Sequence, residues 1–266
     1  MKQRFSREHA QFIKKEKKKN ILVHMAQIGF LVLFLVLWEI LTAAGWLDDF
    51  IFSSPSRIIN TTSELIESGN LFVHIWTSFY ETVLGFILGT VIGTLIAIIM
   101  WRFSWIKKVF EPYLVALNSL PKIALGPIII IWVGTGAPGI ITMAVLISFV
   151  ITALNMLGGF LATDPDKLLL MSAMRANKFQ TFTKLVFPAS IPVLMNTLKI
   201  NVGMSWVGTI MGEYLNSKEG LGYLIVYGSQ VFKLDLVMTC TVILCLLAGG
   251  MYAVVALIAH AVTAEK

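Results

Sequence analysis

Few side chains in this sequence could do chemistry, and most of them stand inside apolar runs. Glu111, Asn118 and Lys122 are separated by seven and four positions, so on a helix they share one stripe. Pro121 and Pro127 flank that stripe and remove backbone donors, which predicts a bent or broken helix. A polar stripe on a broken helix in an apolar setting suits a water-filled path; a lysine paired with a backbone carbonyl at a subunit contact is the other reading. Asn118, Ser119 and Lys122, with Asn201, Ser205 and Glu213 on a later run, are the candidate lining of a translocation pathway. Glu39 and Glu81 fall near the opposite ends of their runs and read as interface or gating contacts. Lys199 and Asn196 read as side chains that reach to headgroups.

No enzyme assembles from these residues. There is no G-x-x-x-x-G-K-[ST], no H-E-x-x-H and no G-x-S-x-G. The four histidines, His9, His24, His74 and His260, are scattered. The two cysteines, Cys240 and Cys245, lie five apart in an apolar run and support neither a disulfide framework nor a metal site.

The elements that hold these residues must be immersed in lipid. Of 266 residues 57% are hydrophobic and only 14% charged, against about 25% charged in soluble domains. Counted with Gly and without Tyr, the apolar share is about 62%, where soluble domains average about 45–50%. A soluble globule of this size has too little polar surface to cover such a content. The net charge of +6 sits largely in a leader carrying Lys2, Arg4, Arg7, Lys14, Lys15, Lys17, Lys18 and Lys19. Beside an apolar run, such a block sets orientation and touches anionic lipid, so nucleic acid is not the expected partner.

A crossing helix needs about 20 apolar residues, and six runs qualify: Ile21–Ala44, Phe72–Trp101, Val109–Val133, Pro138–Phe160, Ile191–Met211 and Leu234–Val262. The stretch Leu221–Phe232 is too short and reads as re-entrant or interfacial. Thr42-Ala43-Ala44 imitates a cleavage site, but the length of the first run and its basic leader favour a retained anchor. The expected fold is therefore an all-α membrane protein with six transmembrane helices. Residues 1–20 form a basic tail, 21–45 the first helix, 46–71 an extracytoplasmic segment, and 72–262 a core with a cytoplasmic loop at 161–190. The leader, Arg102, Lys107 and Lys108, and Lys167, Arg175, Lys178 and Lys184 all share one side, which the positive-inside rule makes cytoplasmic, with both termini. Gly85, Gly89, Gly93 and Ala97 recur every four residues, as do Asn201, Ser205, Gly208 and Gly212 with one irregular step, and predict close helix packing.

The cytoplasmic loop opens on Thr163-Asp164-Pro165-Asp166, a helix-start pattern. Leu168, Met171, Ala173 and Met174 are expected on one apolar face, continued by Phe179, Phe182 and Leu185, as a face for a partner's groove or the membrane. This segment resembles the coupling loop of binding-protein-dependent ABC importer permeases, in which E-A-A, three residues, Gly and nine residues precede I-x-L-P. Leu169, Leu170 and Met171 hold the E-A-A positions, Arg175 the glycine position, and Leu185 to Pro188 the terminal motif. Ser119-Leu120-Pro121-Lys122-Ile123-Ala124-Leu125-Gly126-Pro127 with Ile131-Trp132-Val133-Gly134-Thr135-Gly136, and Gly212-Glu213-Tyr214 with Gly220-Leu221-Gly222-Tyr223-Leu224-Ile225, are similar to signatures of the nitrate, sulfonate and taurine branch. So is Ser53-Ser54-Pro55-Ser56. The likeness spans about Ile51 to Val262.

The resemblance implies a type I importer permease in a bacterial plasma membrane, without an ATPase site of its own. It implies a second permease copy, two ATPase subunits holding ATP and Mg²⁺, and an extracytoplasmic solute-binding protein. It assigns Leu169, Leu170, Met171, Arg175, Phe179, Phe182, Leu185 and Pro188 to the ATPase-coupling loop. An ATP-independent carrier or channel using Glu39, Glu81 or Lys122 is the alternative.

Overall fold

The computed structural model describes residues 7–264, with side chains from Lys15 to Thr263 apart from Lys17, Asn20 and His24. Lys2 and Arg4 of the basic leader lie outside the described residues, as do the side chains of Arg7, His9 and Lys14. Among the described residues the secondary structure is helical throughout.

Helix α1 runs from Arg7 to Ala43, so most of the expected tail is the start of the first helix. Its lysines and glutamates are good helix formers, and no Gly or Pro interrupts them before Gly29. The apolar part, Ile21–Ala43, is long enough to cross a membrane and almost wholly exposed, as lipid-facing side chains should be. Two helices follow, α2 (Asp49–Phe52) and α3 (Pro55–Glu67). Glu39 of α1 accepts hydrogen bonds from the Ser56 N–H at 3.0 Å and Ser56 Oγ at 2.8 Å, so it caps α3. Arg57 bridges Asp49 and Asp235, each at 2.7 Å, which fastens α2 and α3 to the last helix. The hydrogen bond to Asp235 raises the already high pKa of Arg57.

The core is a layer of three helices: α4 (Leu71–Arg102), α7 (Ala137–Leu161) and α11 (Ile191–Asn216). The glycine stripe of α4 meets α7 directly. A Cβ at Gly85 would overlap Ala144, one at Gly89 would overlap Ser148, and one at Gly93 would come within 2.5 Å of the Phe149 carbonyl oxygen. From the other side a Cβ at Gly208 of α11 would come within 2.5 Å of the Ala144 Cα. Ala144 is thus clamped between two glycines, and backbone contact replaces the hydrophobic effect that lipid does not supply.

The expected third span is broken. Helix α5 (Ser104–Ser119) ends before Pro121; a 3₁₀ turn (Lys122–Leu125) leads into α6 (Gly126–Val133), and the two parts bend by 90°. Pro121 cannot donate and disfavours helical backbone at Leu120, whose ψ is 140°. The cytoplasmic loop contains α8 (Pro165–Ala173), α9 (Lys178–Thr181), a π turn (Phe182–Val186) and α10 (Phe187–Ala189), bent by 59° from α11. The segment expected to be re-entrant or interfacial is α12 (Leu221–Gln230), packed on α11 and on α13 (Leu234–Ala264). Four helices are long and apolar enough to cross a membrane, and six if each bent pair is one span.

Candidate functional site: the coupling loop and the outer turn

Helix α8 begins where its sequence says it should. Asp164 accepts from the Asp166 N–H at 2.9 Å, and Pro165 takes the first helical position. It stops in a Schellman arrangement: the Ala176 N–H donates to the Met171 carbonyl at 3.0 Å and the Arg175 N–H to the Ser172 carbonyl at 2.9 Å. Arg175 therefore holds φ = 54°, a left-handed conformation that glycine adopts without penalty. This accounts for a glycine at that position of the E-A-A pattern. A capping box between Asn177 and Gln180 starts α9.

The loop has two faces, and they differ from those the spacing suggested. Leu168 packs against the core and Met171 is half-buried, whereas Leu169, Leu170, Met174 and Phe179 are 60–74% exposed. Phe182, expected on the same docking face as Phe179, packs inward. Its ring centroid lies 5.1 Å from Trp101 of α4, 5.3 Å from Phe160 of α7 and 5.8 Å from Phe187. Three residues on a helix leave two side chains about 60° apart, enough at the edge of a contact to put one inside and the other out. Leu185 and Pro188 are half-buried behind it. Phe182 thus joins the loop to the cytoplasmic core cluster of Met100, Leu157 and Phe160.

At the other end of α4 and α11 the polar side chains are internal. Glu213 is almost fully buried. Its Oε1 accepts from Ser78 Oγ at 2.6 Å and its Oε2 from the Gly222 N–H at 2.5 Å. Ser78 Oγ in turn accepts from the Leu221 N–H at 2.8 Å, and His74 Nδ1 accepts from the Gly220 N–H at 3.0 Å. A carboxylate therefore sits at the N-terminus of α12, where the free N–H groups favour it. Gly220, with φ = 106°, and Gly222 lie so close to this carboxylate that any side chain would displace it. Glu81, equally buried, reaches the same carboxyl group from α4. Beside it opens a polar cavity of about 590 Å³ bordered by Thr77, Thr135, Asn216 and Glu219.

Three candidate pathway residues thus occupy other places. Glu213 caps α12. Asn201 and Ser205 are fully buried between α4, α7 and α11, where Asn201 Nδ2 donates to Thr152 Oγ1 at 2.6 Å and Thr90 Oγ1 at 3.0 Å. They fill the seam because α11 turns its small, polar stripe toward its own chain. Asn118, Ser119 and Lys122 do come together at the 90° break, where Lys122 Nζ donates to Asn118 Oδ1 at 3.3 Å. Glu111, placed on the same stripe, pairs instead with Lys107 at 3.9 Å. Sequence reasoning missed Ser78, which no motif marks, and the ring contacts of Trp101 and Phe160.

A helical chain with a protruding loop and a broken third span is the architecture of a multi-span membrane protein. A family model described as the binding-protein-dependent transport system inner membrane component matches residues 89–264. The chain is 31% identical to the formylaminopyrimidine transport permease protein ThiX of Halalkalibacterium halodurans, over 73% of this chain and 77% of the relative. It is 27% identical to the riboflavin transport system permease protein RibX of Chloroflexus aurantiacus, over 86% and 85%. It is 25% identical to a Bacillus subtilis protein named for aliphatic sulfonates transport, over 74% and 71%. Two solved structures share the fold. An inward-facing MetNI methionine ABC transporter gives a TM-score of 0.66 at 18% identity, covering 74% of this chain and 97% of the other. A bacterial transporter importing the acidic polysaccharide alginate gives 0.65 at 12% identity, covering 94% and 99%. The chain belongs to the binding-protein-dependent inner-membrane components: it is a membrane-embedded permease subunit of an ABC importer.

Proposed function

We propose that two copies of this chain form a pathway for a small solute handed over by an extracytoplasmic binding protein. Two separate ATPase subunits, which hold the ATP and Mg²⁺, grip the loops from the cytoplasm, and the chain itself performs no ATP chemistry. The observation that carries this reading is the loop's division of labour: Leu169, Leu170, Met174 and Phe179 face outward while Phe182 is locked into the core. An apolar face exposed on the cytoplasmic side suits a partner's groove. When the ATPase pair closes, a docked loop moves as a rigid piece. Phe182 passes that displacement to Trp101 and Phe160, hence to α4 and α7 together, which biases the subunit between inward- and outward-open states.

The solute class is taken from the relatives' names: an aliphatic sulfonate, or a heteroaromatic compound such as formylaminopyrimidine or a flavin. Lys122, at the break in the third span, supplies a positive field on the path. The test is uptake of labelled formylaminopyrimidine and a short alkyl sulfonate into proteoliposomes holding the permease and ATPase, with the binding protein outside. Uptake of one of them should need ATP and all three proteins. Uptake that persists without the ATPase overturns the reading in favour of a secondary carrier. Lys122→Ala should lower uptake with the complex intact; unchanged uptake removes Lys122 from the pathway.

A further inference from the structure

At the cytoplasmic end of the α11–α13 contact the two helices part. Pro192, Met195, Asn196 and Lys199 recur at the i, i+3, i+4, i+7 spacing of one α11 face, and Ala256, Ala259, His260 and Thr263 do the same on α13. Deeper in the membrane this seam is packed shut by Val202, Trp206 and Val255. Toward the cytoplasm the small Ala256 and Ala259 cannot fill the space opposite Lys199. A cavity of about 290 Å³ remains, at the lower end of the size of small-ligand pockets.

The chemistry of its wall is one-sided. Lys199 brings an ammonium group, His260 a ring N–H and Asn196 an amide N–H₂, with no carboxylate among the described lining residues. Among the described residues neither the Lys199 nor the His260 side chain makes an ion pair or hydrogen bond. Met195 and Ala256 make the rest of the wall apolar, and exposed Ile200 and Leu257 flank it on the lipid-facing surface. The notch lies at the same end as Arg102, Lys107 and the coupling loop, which is the cytoplasmic leaflet and carries the anionic lipids.

We propose that this notch is a binding site for one anionic phospholipid of the inner leaflet. Its phosphate sits between Lys199 and His260, and its acyl chains lie outside against the helices. Lys199, near the inner end of its helix, reaches the headgroup layer, where a phosphate is the counter-ion at hand. Because α11 continues directly from the coupling loop, a lipid held here braces the helix that the loop must tilt.

The test is native mass spectrometry of the detergent-purified full-length chain titrated with dioleoylphosphatidylglycerol or dioleoylphosphatidylcholine. One phosphatidylglycerol per chain should bind roughly five- to tenfold more tightly than phosphatidylcholine. Lys199→Gln with His260→Asn should erase the difference, whereas Lys199→Arg should keep it. Lys107→Gln with Lys108→Gln removes surface charge from the same side and should leave it unchanged. Equal binding of the two lipids, an unaltered preference in the Lys199/His260 variant, or an equal loss in the Lys107/Lys108 variant each overturns the proposal. Displacement of the lipid by millimolar inorganic phosphate overturns the lipid assignment in favour of a free anion.

Discussion

The loop between α7 and α11 exposes Leu169, Leu170, Met174 and Phe179 and is pinned by aromatic contacts, whereas the turn between α11 and α12 buries Glu213 and is pinned by hydrogen bonds to backbone N–H groups. Both flank the same helix, α11, and both reach α4: the loop through Trp101, the turn through Ser78. Apolar burial is non-directional and ring pairs accept more than one geometry, so the cytoplasmic end can be displaced while staying packed. A buried carboxylate held by directional donors cannot slide without leaving polar groups unpaired. The comparison teaches that this subunit is built to be pushed at one end and to hold its geometry at the other.

The largest expected effect comes from breaking the outer end. Glu213→Ala leaves the Ser78 hydroxyl and the Gly222 N–H without their buried acceptor. At about 1–3 kcal/mol for each stranded group, it should cost several kcal/mol, seen as a large fall in the melting temperature of the purified subunit. Glu213→Gln keeps one acceptor and most of the volume and should cost clearly less. If Glu213→Ala melts like the parent protein, the turn is not held by this carboxylate. Next comes the anchor of the inner end. Phe182→Ala opens a hole among Trp101, Phe160 and Phe187 and, for a half-buried ring, should cost about 2–3 kcal/mol. An unchanged melting temperature would return Phe182 to the docking face.

The two ends can then be told apart by substitutions that should leave stability alone. Leu169→Asp and Phe179→Asp alter exposed side chains, so their stability should stay within about 0.5 kcal/mol of the parent. Each should nevertheless abolish copurification of the ATPase, because an aspartate in an apolar groove is stranded without a partner. Full ATPase occupancy in both variants would mean that this face is not the docking surface.

What the residues disclosed in advance and what they hid follow from periodicity. Glycines four apart named the α4 face that meets α7, and Pro121 named the break in the third span, because both act through local geometry. The Asp164 cap was legible for the same reason. The spacing of Asn201, Ser205, Gly208 and Gly212 foretold their packing too; what it left open was the pathway role, since a small, polar stripe looks alike whether it faces a path or a neighbouring helix of the same chain. Phe182 was hidden by a different effect. Three residues and about 60° separate it from Phe179, so periodicity puts both on one face although the edge of the contact falls between them. Ser78 carries no motif at all, and it became visible only when the fold brought it to the α12 N-terminus.

The smallest expected effect tests the hinge between the loop's two faces. Arg175 pays for a left-handed backbone that an L side chain disfavours by roughly 1 kcal/mol, and its own side chain is exposed. Arg175→Gly should therefore raise the stability of α8 by up to about 1 kcal/mol, less the entropy a glycine adds to the unfolded chain. Arg175→Ala, which keeps the strain and removes the charge, should leave stability unchanged. Protection of the α8 amides in hydrogen exchange reads this directly. With ATPase copurification as the second readout, the pair separates backbone from side chain. If the glycine variant gains protection and retains the ATPase, position 175 serves only to turn the chain from α8 into α9. If both variants lose the ATPase while only the glycine variant gains protection, the guanidinium itself contacts the partner, and the docking face extends from Leu169 and Leu170 around the end of α8.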